Sequence, residues 1–148
     1  APDRQHLFWG CPVAQAITQI LQEQVHAHYH VRRVNVWLCR PPGPTMHVGV
    51  WQVVCLAAII SMNKGMQLLY KLGQAQHALP AQQRLTTACK VAGPTFWDML
   101  YDFVGVGMCN PAWLQEVGPA HPFLHVVTDA QGEGHLQVNR PQQQQPLQ

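Results

Sequence analysis

Charge is scarce in this sequence. Asp, Glu, Lys and Arg together make up 11% of 148 residues, against roughly 25% in ordinary soluble domains. Gln, His and Pro stand in for the missing ions, giving a polar surface with little long-range electrostatic steering. No Gly-rich phosphate loop, no Gly-x-Ser-x-Gly elbow and no His-Glu-x-x-His helix occurs, so the common phosphate-binding, acyl-transfer and zinc-hydrolase devices are missing. Acidic residues are limited to Asp3, Glu23, Asp98, Asp102, Glu116, Asp129 and Glu133. Two-metal phosphoryl chemistry needs several convergent carboxylates. Only Asp98 and Asp102, four apart, would share one helix face, and on an amphipathic helix that face is solvated. The chain is therefore expected to hold no catalytic site and no small-molecule substrate. Five cysteines, Cys11, Cys39, Cys55, Cys89 and Cys109, are odd in number and widely spaced. That argues against an extracellular disulfide framework and for a reducing compartment, nucleus or cytoplasm. No basic stretch leads into an apolar run near Ala1, and the opening residues read as those of a fragment.

Hydrophobic residues make up 47% of the chain, enough for one small core. Pro12 opens a helix at a position where its missing N–H costs nothing. Val13, Ala16, Ile17, Ile20, Leu21 and Val25 then recur at three- and four-residue steps. Val34, Val36 and Leu38 alternate with Arg33, Asn35 and Trp37, which predicts a short extended segment, and Pro41-Pro42-Gly43-Pro44 ends it. Thr45 is the expected N-cap of a long apolar helix between Met46 and Leu72. That run falls slightly short of an uninterrupted membrane span, with Lys64 and Lys71 interspersed, so a buried central helix is predicted and no membrane. A further helix runs from Ala81 to about Ala92, with Gly93-Pro94 expected to interrupt or kink it before Phe96–Val104 resumes the pattern. Asn110 and Pro111 suggest one more capped turn, and residues 121–127 an extended patch. The expected architecture is mainly α: a small bundle around a long apolar helix, residues 1–128, followed by a disordered Gln-rich tail, 129–148.

Candidate ligands cluster twice. His26, His28 and His30 alternate near Arg32 and Arg33, an arrangement that suits a transition metal. It equally suits a helix C-terminus, where cations meet the negative end of the dipole. At the start, His6-Leu7-Phe8-Trp9-Gly10-Cys11-Pro12 sets a His and a Cys close together across aromatic residues, like the second half of a zinc knuckle. Zinc wants four N or S ligands in a tetrahedron.

The run from His6 to Gln15 resembles the distal half of the zinc-binding region that follows the polymerase domain in LINE-type (non-LTR) retrotransposon reverse transcriptases. Val36-Trp37-Leu38, Val50–Ala58, Phe96–Val104 and Gly118–Val127 resemble the C-terminal tails of such polyproteins. The resemblance implies that His6 and Cys11 are the third and fourth zinc ligands, and the first two have no counterpart in this chain. It also implies an accessory role beside a polymerase: contact with RNA or DNA, with Arg4, Arg32 and Arg33 on phosphates and Trp9 or Trp37 stacking on bases. The alternative is a structural or protein-interaction module, its aromatic patch at Phe96 and Trp97, or a decayed element remnant, with no nucleic-acid function.

Overall fold

The computed structural model describes residues 10–25, 29–75 and 77–142. Four helices form the body: α1 (Pro12–Gln24), α2 (Arg33–Trp37), α3 (Val48–Gln74) and α4 (Ala81–Gly105). The short α5 (Trp113–Glu116) leads to an antiparallel hairpin of β1 (Leu124–Thr128) and β2 (Gly134–Val138). The fold is thus a mainly helical small bundle around a long apolar helix, with a two-stranded hairpin added.

α3 and α4 run side by side as a helical hairpin, and α1 packs on both. The predicted stripe of α1 is the one buried: Val13, Ile17, Ile20 and Leu21 face the core, joined by Ala14. α3 buries ten residues, from Val50 to Gly65. By length and composition α3 is long enough to cross a membrane; the residues it buries against its neighbours make it the central helix of a core. At Gly65 α1 makes a close approach: a Cβ there would overlap Val13 Cγ1, which belongs to a fully buried residue. Gly65→Ala should therefore lose about 1 kcal/mol net. Overpacking costs about 1–3 kcal/mol, against a helix-propensity gain of about 1 kcal/mol. In urea unfolding, Val13→Ala added to Gly65→Ala should recover part of the loss, and strict additivity of the two would show that the helices do not meet there.

Four expectations are corrected. The segment predicted as extended is α2, whose backbone Arg32 N–H donates to the Asn35 side chain at 2.7 Å. As a helix it buries Val36 and leaves Val34 and Leu38 exposed, whereas alternation would have placed all three together. The cap of α3 is His47, not Thr45: its Nδ1 accepts from Val50 N–H at 3.2 Å. α4 is not interrupted at Gly93-Pro94 and passes through as one helix, because Ala88, Ala92, Phe96 and Leu100 form a single buried row across the proline, and that burial outweighs one lost hydrogen bond. Finally, order continues past Asp129: β2 pairs with β1 from Leu124↔Val138 to Thr128↔Gly134. Gly132 takes the left-handed backbone of the turn (φ 83°). Asp129 Oδ1 accepts from Gln131 and Glu133 N–H, both at 2.9 Å. The end of the Gln-rich tail, 143–148, lies outside the described residues.

Candidate functional site

The carboxylates and cations of this chain are segregated. From residue 24 to residue 97 there is no Asp or Glu, yet Arg32, Arg33, Arg40, Lys64, Lys71, Arg84 and Lys90 all fall there. That leaves only Arg4 and Arg140 among the cations elsewhere, alongside every acid in the chain. A small net charge of +2 thus conceals a cationic stretch of sequence, residues 24–97, between acidic flanks. Tallying Lys and Arg alone hides this asymmetry; the sequence signal for it is the 74-residue gap between Glu23 and Asp98.

Arg32, Arg33 and Arg40 are exposed around α2. α1 ends at Gln24, so Arg32 and Arg33 do not cap its C-terminus; they stand at the start of α2, where the helix dipole opposes positive charge. Asn35 holds this turn in place. Its Nδ2 donates to Arg40 O at 3.0 Å, and its own carbonyl accepts from Trp51 Nε1 at 2.8 Å and from Cys55 Sγ at 3.5 Å. Cys39, at the end of the turn, carries a left-handed backbone (φ 52°), a conformation that costs a non-glycine residue about 1–2 kcal/mol. Burial first, and the neighbouring Cys39 second, push the Cys55 thiol far up, so it stays protonated.

Arg4, His6 and Trp9 lie outside the described residues, as do His26 and His28; His30 is exposed. Cys11 belongs to the core, 5% exposed, at the N-terminal end of α1. Among the described residues it joins no group of three potential metal ligands. The described residues therefore do not furnish a tetrahedral zinc site. The group that does converge is Asp129, Glu133 and His135, with ligand atoms within 4.8 Å of one another. It is exposed, and His135 Nε2 already lies 2.7 Å from Asp129 Oδ2. Bonds from His135 and from the turn amides hold the Asp129 carboxyl below its usual range. These contacts account for the cluster as a turn lock, and such groups are common on surfaces without an ion.

Asp98 and Asp102 are exposed on α4, and Asp98 pairs with Arg140 at 2.6 Å. Phe96 and Trp97, the suggested partner patch, are fully buried and stack edge-on at 5.0 Å. Exposed apolar groups instead gather where α4 ends: Tyr101, Val106 and Met108. Beside them runs an open groove of about 610 Å³ against β2, lined in part by Val104, Leu114, His135 and Gln137. At the start of α3, His47 Nε2 meets Glu116 Oε2 at 2.5 Å and the ring lies 5.2 Å from Trp113. With Nδ1 capping the helix and Nε2–H on Glu116, this His–Glu pair has both nitrogens engaged in structure. Comparison with models of protein families, with curated proteins and with solved structures finds no match.

Proposed function

We propose that this chain is a non-catalytic helical module that contacts nucleic acid, of the kind that follows the polymerase domain in LINE-type reverse transcriptases. The observation that carries this reading is the acid-free stretch of sequence from 24 to 97, with Arg32, Arg33 and Arg40 exposed around α2. Arginine donors held on a fixed turn match phosphate oxygens and give register without reading sequence. His6 and Cys11 would supply two zinc ligands in such a protein, and the phosphate contacts proposed for α2 do not depend on them. RNA and DNA are equally served by these contacts, since only phosphates are engaged.

Fluorescence anisotropy with a labelled single-stranded RNA tests the proposal. Binding should weaken as salt rises, and R32Q/R33Q/R40Q should flatten the log–log salt slope by about 2, at roughly 0.7 per phosphate on single strands. An unchanged slope in that variant would remove the α2 arginines from the interface. A protein-interaction role is favoured by one separate feature, the exposed Tyr101, Val106 and Met108 beside the groove at β2; patches of this kind mark contact surfaces.

A further inference from the structure

The paired ends of α3 and α4 form an arm that no other described element covers. Burial stops at Gly65 on α3 and resumes at Ala88 on α4, and none of the described residues from 66 to 87 is buried. Both helices nevertheless stay regular to Gln74 and from Ala81. Arg84 Nη1 donates to Leu79 O at 3.0 Å, and Met66, Leu69 and Leu85 pack back towards the core.

Exposed two-helix hairpins ordinarily interleave Glu with Lys, because opposite charges three or four residues apart support the helices. Here Lys64, Lys71, Arg84 and Lys90 have no carboxylate anywhere in their stretch of sequence. On α3, Lys64, Gln67, Lys71 and Gln74 follow at steps of three and four residues, so they line one face, and all four are exposed. Alongside this stripe lies a shallow depression of about 380 Å³ lined by Asn63, Met66, Gln67, Tyr70 and Lys71. Tyr70 is 69% exposed, so its ring does little for the core. The two ammonium-bearing positions are two helical turns apart, about 10 Å along the axis, and Tyr70 stands beside Lys71, about 100° round the helix from it, on the side of the depression.

We propose that this arm is a contact for single-stranded nucleic acid: Lys64 and Lys71 take phosphates, and a base stacks on Tyr70 in the depression beside Asn63, Met66 and Gln67. An aromatic shelf beside a cationic track is an arrangement that binds single strands without sequence preference. An acidic peptide would use the lysines but leave the tyrosine shelf idle. A lipid surface would require an apolar face where the arm presents Asn63, Gln67 and Gln74. The inference rests on the nucleic-acid reading above but assigns different residues from those of α2.

The test is anisotropy titration of a labelled oligothymidylate with the full chain, comparing wild type, Y70A, Y70F, K64Q/K71Q and R32Q/R33Q. All the substituted side chains are exposed, and circular dichroism checks that the fold is kept. Y70A should weaken binding about 5- to 150-fold, the range for losing one stacked base, while Y70F, which keeps the ring, binds as wild type does. K64Q/K71Q should reduce the salt slope by about 1.4. If wild type binds and the arm variants bind equally well while R32Q/R33Q weakens, the arm proposal is overturned and the α2 reading stands. A wild-type chain that binds no oligonucleotide at low salt overturns both. Binding to phosphatidylserine vesicles without binding to the oligonucleotide, with Y70A or K64Q/K71Q abolishing it, overturns the proposal in favour of a membrane.

Discussion

Trp51→Ala is expected to lower the unfolding free energy by about 3–5 kcal/mol, the usual cost of emptying a buried tryptophan site. That is a large share of the roughly 5–15 kcal/mol that holds a domain together, and the variant should be partly unfolded at 37 °C. Trp51 is fully buried on α3, and it touches more than one element. Its indole N–H reaches Asn35 O at 2.8 Å and so ties α2 to α3. Its ring lies 6.1 Å from Phe123, which in turn lies 6.2 Å from Trp97 on α4. Truncation therefore opens a void among three elements and removes the strongest donor from a carbonyl that is left with a thiol. Trp51→Phe separates the two effects: it keeps most of the volume and gives up the hydrogen bond, for a loss nearer 1–2 kcal/mol. Urea denaturation followed by circular dichroism reads both variants. A Trp51→Ala chain within 1 kcal/mol of wild type would mean that α2 and the β1 region are not docked on α3.

The elements that were legible in the sequence are those whose stability is carried by their own periodicity. The stripe of α1 and the apolar run of α3 specify which faces go inward before any partner is known. α2 was not legible because five residues hold too little pattern to separate a 3.6 period from a 2.0 period. What decides it is tertiary: Asn35 is fixed by Arg40 on one side and by Trp51 on the other. α4 hid behind Pro94, since local propensity penalises the proline while the buried row from Ala88 to Leu100 can be counted only once α3 is in place. The β2 segment, Gly134–Val138, alternates Leu136 and Val138 with polar neighbours, but a stretch so poor in apolar groups reads as tail. Its order comes from a turn closed by Asp129 and from Gln24 Nε2, which reaches Pro122 O at 2.7 Å and Asn139 O at 3.1 Å. The candidate site divides in the same way. Arg32 and Arg33 could be named from sequence, and the acid-free run could have been seen there. That no other described element covers the α3–α4 arm, with Tyr70 outside the core, follows only from where α1 begins, with Val13 against Gly65.

Lowering the pH from 6.5 to 4 should cost the protein on the order of 3 kcal/mol of stability through one imidazole. His121 is 7% exposed, and Phe123 and Leu124 N–H converge on its Nδ1 at 3.2 and 3.4 Å. The His47 N–H donates towards Nε2 at 3.4 Å, so both ring nitrogens face backbone donors and a proton added to the ring meets no acceptor among these contacts. Burial, and secondarily the nearby His47, lower its pKa from 6.5 to about 4, and a proton on Nδ1 would also displace both amide bonds. The folded state thus resists a proton that the unfolded chain accepts. The stabilisation is complete above pH 6.5 and is lost as pH falls towards 4, at about 1.4 kcal/mol per pH unit within the window. Asp129 shifts in the same direction, its carboxyl held below its usual range by the bonds from His135 and the turn amides, so its contribution is also lost as pH falls, in a more acidic window. His121→Asn offers a carbonyl oxygen to the same amides with nothing to titrate between pH 4 and 6.5. It should start less stable than wild type and stay level across that window, as read by urea midpoints at pH 7.5, 6.5, 5.5 and 4.5. An equal slope in the two proteins would assign the acid sensitivity to other groups and place His121 in contact with water.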